Sequence, residues 1–315
     1  MSKNCILVGA PVDSGQKTQG CLMGPTAYRV AGLASALVEL GHQVSDWGDM
    51  ALPHGTQLAS SSNGRVHGEA ETVAWTNVLA DVSRKAISQG FPIFLGDDNA
   101  MSLGTVSGVA AHAKAEGKPL FVLWLDAHSD FHTPATTLSG NIHGMPVAYL
   151  AGCAGFDDFP PFPNPVPEQN ICLFGIRSVD EAERAALKAR ALSINDMRVL
   201  DEHGIVAPLR TFLLKVGAAR GWLHVSLDVD FLDPSIAPGV GTTVPGGATF
   251  REAHLVMELL HEHDLVTSLD LAELNPFLDE RGRTARVAVE LIGSLFGLQI
   301  TDRPTPSNAV FPDNT

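Results

Sequence analysis

Short apolar runs alternate with amphipathic stretches from one end of this chain to the other. Ile6–Val8, Pro92–Leu95, Leu120–Leu125, Ile171–Phe174, His224–Leu227 and Thr267–Leu271 are continuous rather than alternating, as expected of strands covered on both faces. Helical patterns lie between them. Gly24-Pro25-Thr26 opens a stretch that puts Val30, Leu33, Leu37 and Leu40 on one face and closes at Gly41. Proline at the start and glycine past the end is the usual helical asymmetry. Thr249-Phe250-Arg251-Glu252 reads as a capping box, because threonine and the glutamate three residues on can bond reciprocally to amides left unpaired by the first turn. Leu255, Val256, Leu259 and Leu260 then supply its buried stripe.

This β–α alternation predicts an α/β protein in three layers, a central, mostly parallel sheet with helices on both faces. No linker-like boundary, fixed-period repeat or low-complexity tract divides residues 1–315, which read as one domain. Phe156–Pro167, rich in proline, aromatics and acids, reads as a surface loop. The tail from Arg303 to Thr315 is expected to wrap the surface or a neighbouring subunit.

Composition narrows the function without naming it. Hydrophobic content of 45% and charged content of 18% describe a globular chain, not a disordered one. A formal charge of −14 argues against a nucleic-acid or anionic-membrane surface. Cys5, Cys21, Cys153 and Cys172 form no CxxC pair and no framework, which suits free thiols in a reducing cytosol. Ile6-Leu7-Val8 is too brief for a signal segment, and no apolar run approaches a membrane span.

The chemistry sits in acidic bursts that begin where strands end. Asp126-Ala127-His128-Ser129-Asp130 and Asp228-Val229-Asp230 each follow an apolar run, the second leading into Asp233-Pro234. A lone DxD is commonly a helix cap or a solvated turn. Two such bursts at the carboxyl ends of strands, where open α/β sheets bind ligands, point instead to a metal site. Alternate strand residues share a face, so Asp126, His128 and Asp130 are expected to converge, as are Asp228 and Asp230. Such a group of carboxylates would repel one another without divalent cations. Carboxylate and imidazole ligands suit Mn²⁺ or a similar ion, and two such ions sharing a water support metal-assisted hydrolysis.

Ser226-Leu227-Asp228-Val229-Asp230-Phe231-Leu232-Asp233-Pro234 is similar to the most specific signature of the ureohydrolase (arginase/agmatinase) family. Gly246–Glu252 and Asp270-Leu271-Ala272-Glu273-Leu274-Asn275-Pro276 resemble the segments that follow it. The chain resembles the arginase branch from Gly9-Ala10-Pro11 to about Gly297, and Ser139-Gly140-Asn141-Ile142-His143-Gly144 separates it from agmatinases. The resemblance implies an arginase-like fold, a homotrimer or homohexamer, and two Mn²⁺ positions bridged by Asp126 and Asp228. His128 and Asp230 would complete one, and Asp130 with Asn99 the other. It implies catalytic roles for His143, as proton shuttle beside the leaving amine, for Glu273, as holder of the guanidinium, and for Asp130. Asp180 and Glu183 would lie toward the α-amino group of the substrate. Thr137 and Ser139 would line its carboxylate side, with His132 where arginases commonly place an asparagine, and Asn141 would also bind the substrate.

The departure is Gly96-Asp97-Asp98-Asn99-Ala100 in place of the family's Gly-Gly-Asp-His-Ser. Asn99 offers an amide where the family has imidazole, a much weaker ligand for a transition metal, so one ion is expected to bind loosely. Asp97 adds a carboxylate beside the cluster, either compensating for the lost ligand or pointing away. Three functions fit these residues: hydrolysis of L-arginine to L-ornithine and urea, hydrolysis of Nω-hydroxy-L-arginine or another guanidino compound, and a non-catalytic arginase-like binding role.

Overall fold

The computed structural model describes residues 2–56, 58, 65–96 and 98–299. Asp97 and the tail from Arg303 therefore lie outside the described residues. The chain forms eight strands: β1 Asn4–Ala10, β2 Gln43–Asp49, β3 Phe91–Gly96, β4 Leu120–Leu125, β5 Ile171–Ile176, β6 Ser193–Asp196, β7 Trp222–Asp228 and β8 Val266–Ala272. They make one sheet in the order β2-β1-β3-β8-β7-β4-β5-β6. Every neighbouring pair is parallel, so the sheet is parallel throughout rather than mostly so.

All six apolar runs are strands, and all six are interior. The two strands that the pattern did not reveal, β2 and β6, are the edges. Their residues are largely polar and at most half-buried, so they lack the apolar signal of a strand covered on both faces.

Alternation along each interior strand divides the core in two. Cys5 and Leu7 of β1, with Leu123 and Leu125 of β4, face the helices Val206–Ala218, Phe250–His263 and Arg283–Leu295. Ile6, Val8, Val122 and Trp124 face the helices Glu69–Ile87, Ser102–Ala115 and Pro146–Leu150. Three layers result. The capping box at Thr249 and Glu252 forms as expected, above a stripe in which Val256, Leu259 and Leu260 are buried and Leu255 is half-buried.

The helix expected after Gly24 is interrupted. It runs as Gly24–Val30 and Leu33–Glu39, broken where Gly32 takes φ 92°, a conformation glycine adopts without steric cost. Beyond the break Leu33 and Leu37 stay buried, while Val30 before it is 82% exposed. The stretch Cys21–Glu39, with a mean hydropathy of 1.2, is long and apolar enough by composition to cross a membrane, contrary to the reading of the sequence alone. In the fold it is one 3₁₀ turn and two short helices, with Tyr28, Leu33 and Leu37 in the same core as Leu7 and Ile93. Phe156–Pro167 is a loop with an inner side: Phe156 and Phe159 are buried, and Tyr149 meets the Phe156 and Phe162 rings edge-on.

Candidate active site

The four central strands β3, β8, β7 and β4 are consecutive in the sheet, and each delivers acidic or amide side chains at its carboxyl end. β3 leads into Asp98 and Asn99, β8 into Glu273, β7 ends on Asp228, and β4 leads into Asp126, His128 and Asp130. The convergence is made by turns rather than by continued strand alternation. The Asp126 Oδ1 accepts the His128 N–H at 2.6 Å, and the Asp228 Oδ1 accepts the Asp230 N–H at 2.6 Å. In each burst the first aspartate caps its own turn. Asp130 and Glu273 take φ values of 47° and 65°, sparsely populated for residues with a side chain and common at functional sites.

Three of the expected ligands form a compact group. His128 Nδ1 lies 2.9 Å from Asp230 Oδ2 and 3.5 Å from Asp126 Oδ1, and one ligand atom from each residue lies within 4.8 Å of the others. Asp230 is steadied by the Ala127 N–H at 2.9 Å on Oδ1 and by Thr242 Oγ1 at 3.4 Å on Oδ2. Asp126 also accepts the Trp124 indole N–H at 2.9 Å.

Asn99 meets the same cluster from the other side. Its Nδ2 donates to Asp228 Oδ2 at 2.7 Å and to Asp126 Oδ2 at 3.3 Å, and its backbone N–H donates to Glu273 Oε1 at 2.8 Å. Glu273 Oε1 also faces His143 Nδ1 at 2.9 Å, and Gln16 Nε2 donates to Oε2 at 3.4 Å. Asn141 Nδ2 lies 3.4 Å from His143 Nε2.

These groups floor a cleft of about 610 Å³ including its open mouth, a size suited to a small molecule. On its wall His132 Nε2 lies 2.8 Å from Asp180 Oδ2 and 3.8 Å from Glu183 Oε2. His132, expected on the carboxylate side of a substrate, turns its imidazole toward these two carboxylates. Asp180 and Glu183 form a capping box at the start of the helix Glu181–Lys188, and Ser129 Oγ and the Phe131 N–H hold Glu183 Oε1. Thr137 and Ser139 stay in an outer turn, bonded to the Gly140 and Asn141 amides.

The chain matches the Arginase family over residues 3–297. It is 57% identical over 304 residues to the arginase of Agrobacterium fabrum, covering 96% of this chain and 94% of that protein. It is 55% identical over 305 residues to the arginase of Brucella melitensis, covering 96% and 99%. The crystal structure of the arginase from Bacillus cereus superposes with a TM-score of 0.86 at 37% identity, covering 95% and 100%. The chain belongs to the arginase family. It is an arginase-like amidinohydrolase.

The electrostatics of this arginase-family site test whether its residues suit metal ions. Burial, then the charge of Asp230, pushes the Asp126 carboxyl up to about 7. Burial and neighbouring aspartates likewise raise Asp130 and Asp228 well above the usual carboxylate range. Asp230 is held low: burial works to raise it, but His128 and the Ala127 N–H outweigh burial. Burial disfavours protonated His128, yet its bonds to Asp126 and Asp230 push it up to about 11. So much carboxylate in a buried space calls for a cation beyond one imidazolium. The Asp126–His128–Asp230 group fits one. The Asn99 side does not fit in the same way, because there a neutral donor already bonds both carboxylates.

Several residues of the site carry no signal in the sequence alone. Gln16 and Thr242 reach the site's residues from loops without a motif. Arg177 clamps the loop after Asp230, with Nη2 donating to the Asp230 and Val244 carbonyls at 2.7 Å each. Its place at the end of β5, beside residues singled out for the substrate, was the available hint.

Proposed function

We propose that this arginase-family hydrolase converts L-arginine and water to L-ornithine and urea, with Mn²⁺ as its metal and the second metal position altered at Asn99. The observation that carries the reading is the approach of the His143–Glu273 pair to the Asp126–His128–Asp230 group in one cleft whose wall holds Asp180 and Glu183. Cationic recognition fits both ends of such a substrate: Glu273 toward the guanidinium, and Asp180 with Glu183 toward the α-ammonium, through charge-assisted hydrogen bonds. Thr137, Ser139 and Asn141 serve the α-carboxylate from the outer turn.

Asp126, His128 and Asp230 would hold the cation, which when bound lowers the pKa of a water toward neutrality. The remaining work falls to the protein. Glu273 orients the guanidinium carbon over the cluster. Asp130 Oδ2, buried and without a partner, is placed to accept the proton of the attacking water. The carbon gains the water oxygen and loses its bond to the amine nitrogen, and that nitrogen takes a proton from His143. Burial disfavours protonated His143, but the charge and hydrogen bond of Glu273 raise its pKa, so the proton is available near neutral pH.

We read the protein as a single cytoplasmic domain over residues 1–315 that assembles as a homotrimer or homohexamer and has no nucleic-acid or membrane partner. The formal charge of −14 and the absence of a disulfide among the described residues support that reading. A panel of guanidino compounds, assayed with and without added Mn²⁺, tests the function. Urea from L-arginine is the expected result. Hydroxyurea from Nω-hydroxy-L-arginine with negligible urea would reassign the substrate, and no product from any of them would sink the hydrolase reading.

A further inference from the structure

Asn99 stands where the sequence predicted a weak metal ligand, but its contacts are those of a donor. Its Nδ2 bonds Asp228 at 2.7 Å and Asp126 at 3.3 Å. Oδ1, the only atom of the amide able to ligate a metal, is buried with no partner. The orientation has a plain cause: turning the amide over would set a carbonyl oxygen against two carboxylate oxygens.

The side chain is also fixed in place. Asn99 is 3% exposed, and its backbone N–H is bonded to Glu273. It opens a 3₁₀ turn capped by Asp98, whose carboxylate accepts the Ala100 and Gly15 N–H groups at 2.9 and 2.8 Å. The amide therefore has no solvent to retreat into. Among the described residues two groups of three His, Cys, Asp or Glu ligand atoms form, Asp126–His128–Asp230 and His132–Asp180–Glu183, and neither includes Asp228.

We propose that Asn99 replaces the second cation instead of binding it. Its amide cross-links Asp126 and Asp228 by hydrogen bonds, and the protein works with one firmly held metal at Asp126, His128 and Asp230. This rests on the amidinohydrolase reading for the choice of metal, but not for the number of ions. It also leaves Asp130 Oδ2 free for water or substrate.

The test is to load the whole protein with Mn²⁺, dialyse it against metal-free buffer, and measure ions per chain by mass spectrometry alongside the low-temperature EPR spectrum. The unmutated protein is expected to keep one ion and to show the hyperfine pattern of isolated Mn²⁺. Asn99→His, confirmed folded by circular dichroism, should keep two ions and give an exchange-coupled spectrum. Asn99→Asp should acquire a melting temperature that climbs with Mn²⁺ beyond one equivalent, since a second bound ion stabilises the folded state by mass action. Two retained ions or a coupled spectrum in the unmutated protein would overturn the inference. So would a folded Asn99→His protein that keeps only one. Product release measured on the same samples separates the two readings. One ion with no product removes the proposed function and leaves the metal count. Two ions with urea release does the reverse.

Discussion

His143 is held by a carboxylate 130 residues away in sequence: its Nδ1 lies 2.9 Å from Glu273 Oε1, with Glu273 buried and His143 partly so. One contact thus fixes the imidazole beside the cleft and raises its proton affinity. Glu273→Gln keeps the shape and removes the charge. It is expected to lower kcat/KM by about 10²–10³-fold, the scale seen when one preorganised polar group is lost from a reacting centre. It should also move the alkaline limb of the pH–kcat profile to lower pH, because burial then acts on His143 without the opposing charge. An unchanged alkaline limb would remove Glu273 as the cause of that shift.

Metal removal should make stability fall as pH rises. The Asp126 carboxyl is raised from 3.8 to about 7 in the folded protein, so the fold keeps a proton that the unfolded chain gives up. The cost of ionising it appears above pH 3.8 and is complete above 7. The stabilisation from His128, raised from 6.5 to about 11, is fully present below pH 6.5 and drains away through 11. Both act in one direction. Thermal melts of EDTA-treated protein should therefore fall between pH 5 and 9, with added Mn²⁺ recovering most of the loss at the upper end. A flat or rising melting temperature in the stripped protein would contradict this account.

His132→Asn tests the wall of the cleft. Asp180 is held low because the Glu183 N–H and His132 together outweigh the effect of burial, and the His132 contact at 2.8 Å keeps its Oδ2 in place. Loss of one hydrogen bond to a charged group is worth about 1.5–3 kcal/mol. KM for L-arginine is expected to rise roughly tenfold or more with kcat nearly unchanged, since the contact serves ground state and transition state alike. A fall in kcat at constant KM would instead put His132 in the chemistry.

Thr249→Ala offers a control at a residue that does not line the cleft. It removes the side-chain half of the capping box that starts the helix Phe250–His263. A cost of about 1 kcal/mol is expected, read as a lower midpoint in urea with the same slope, while kcat, KM and metal content stay as they were.

The interior of the fold was legible because the sequence signal and the burial have the same origin. Leu120–Leu125 and its fellow runs are apolar since both faces of those strands are covered. The same logic hid Gln43–Asp49 and Ser193–Asp196, edge strands that need no such run. The break at Gly32 was missed because a helical stripe can be read across an interruption when Leu33 and Leu37 keep their spacing. At the site, Asp126, His128 and Asp230 announce themselves by residue type and position. The pairings do not: whether His132 turns to Asp180, or which end of the Asn99 amide faces Asp228, depends on neighbours more than forty residues distant in the chain. Thr242 and Gln16 reach the site from unpatterned loops and left no trace to read.

The ends of β3, β8, β7 and β4 lie side by side, yet along the chain they fall near residues 96, 272, 228 and 125. None of the site's long contacts can form within one βα unit. Closing loops of that length must come before the contacts that reward it, and parallel sheets of this kind assemble slowly. Strand β8 lies between β3 and β7, so its pairing with them brings Glu273 to His143 and Asn99 and joins the two halves of the sheet. Competence for chemistry therefore requires that pairing. Partly assembled chains carry the acidic bursts but not the site, and recovery of activity during refolding would report insertion of that central strand.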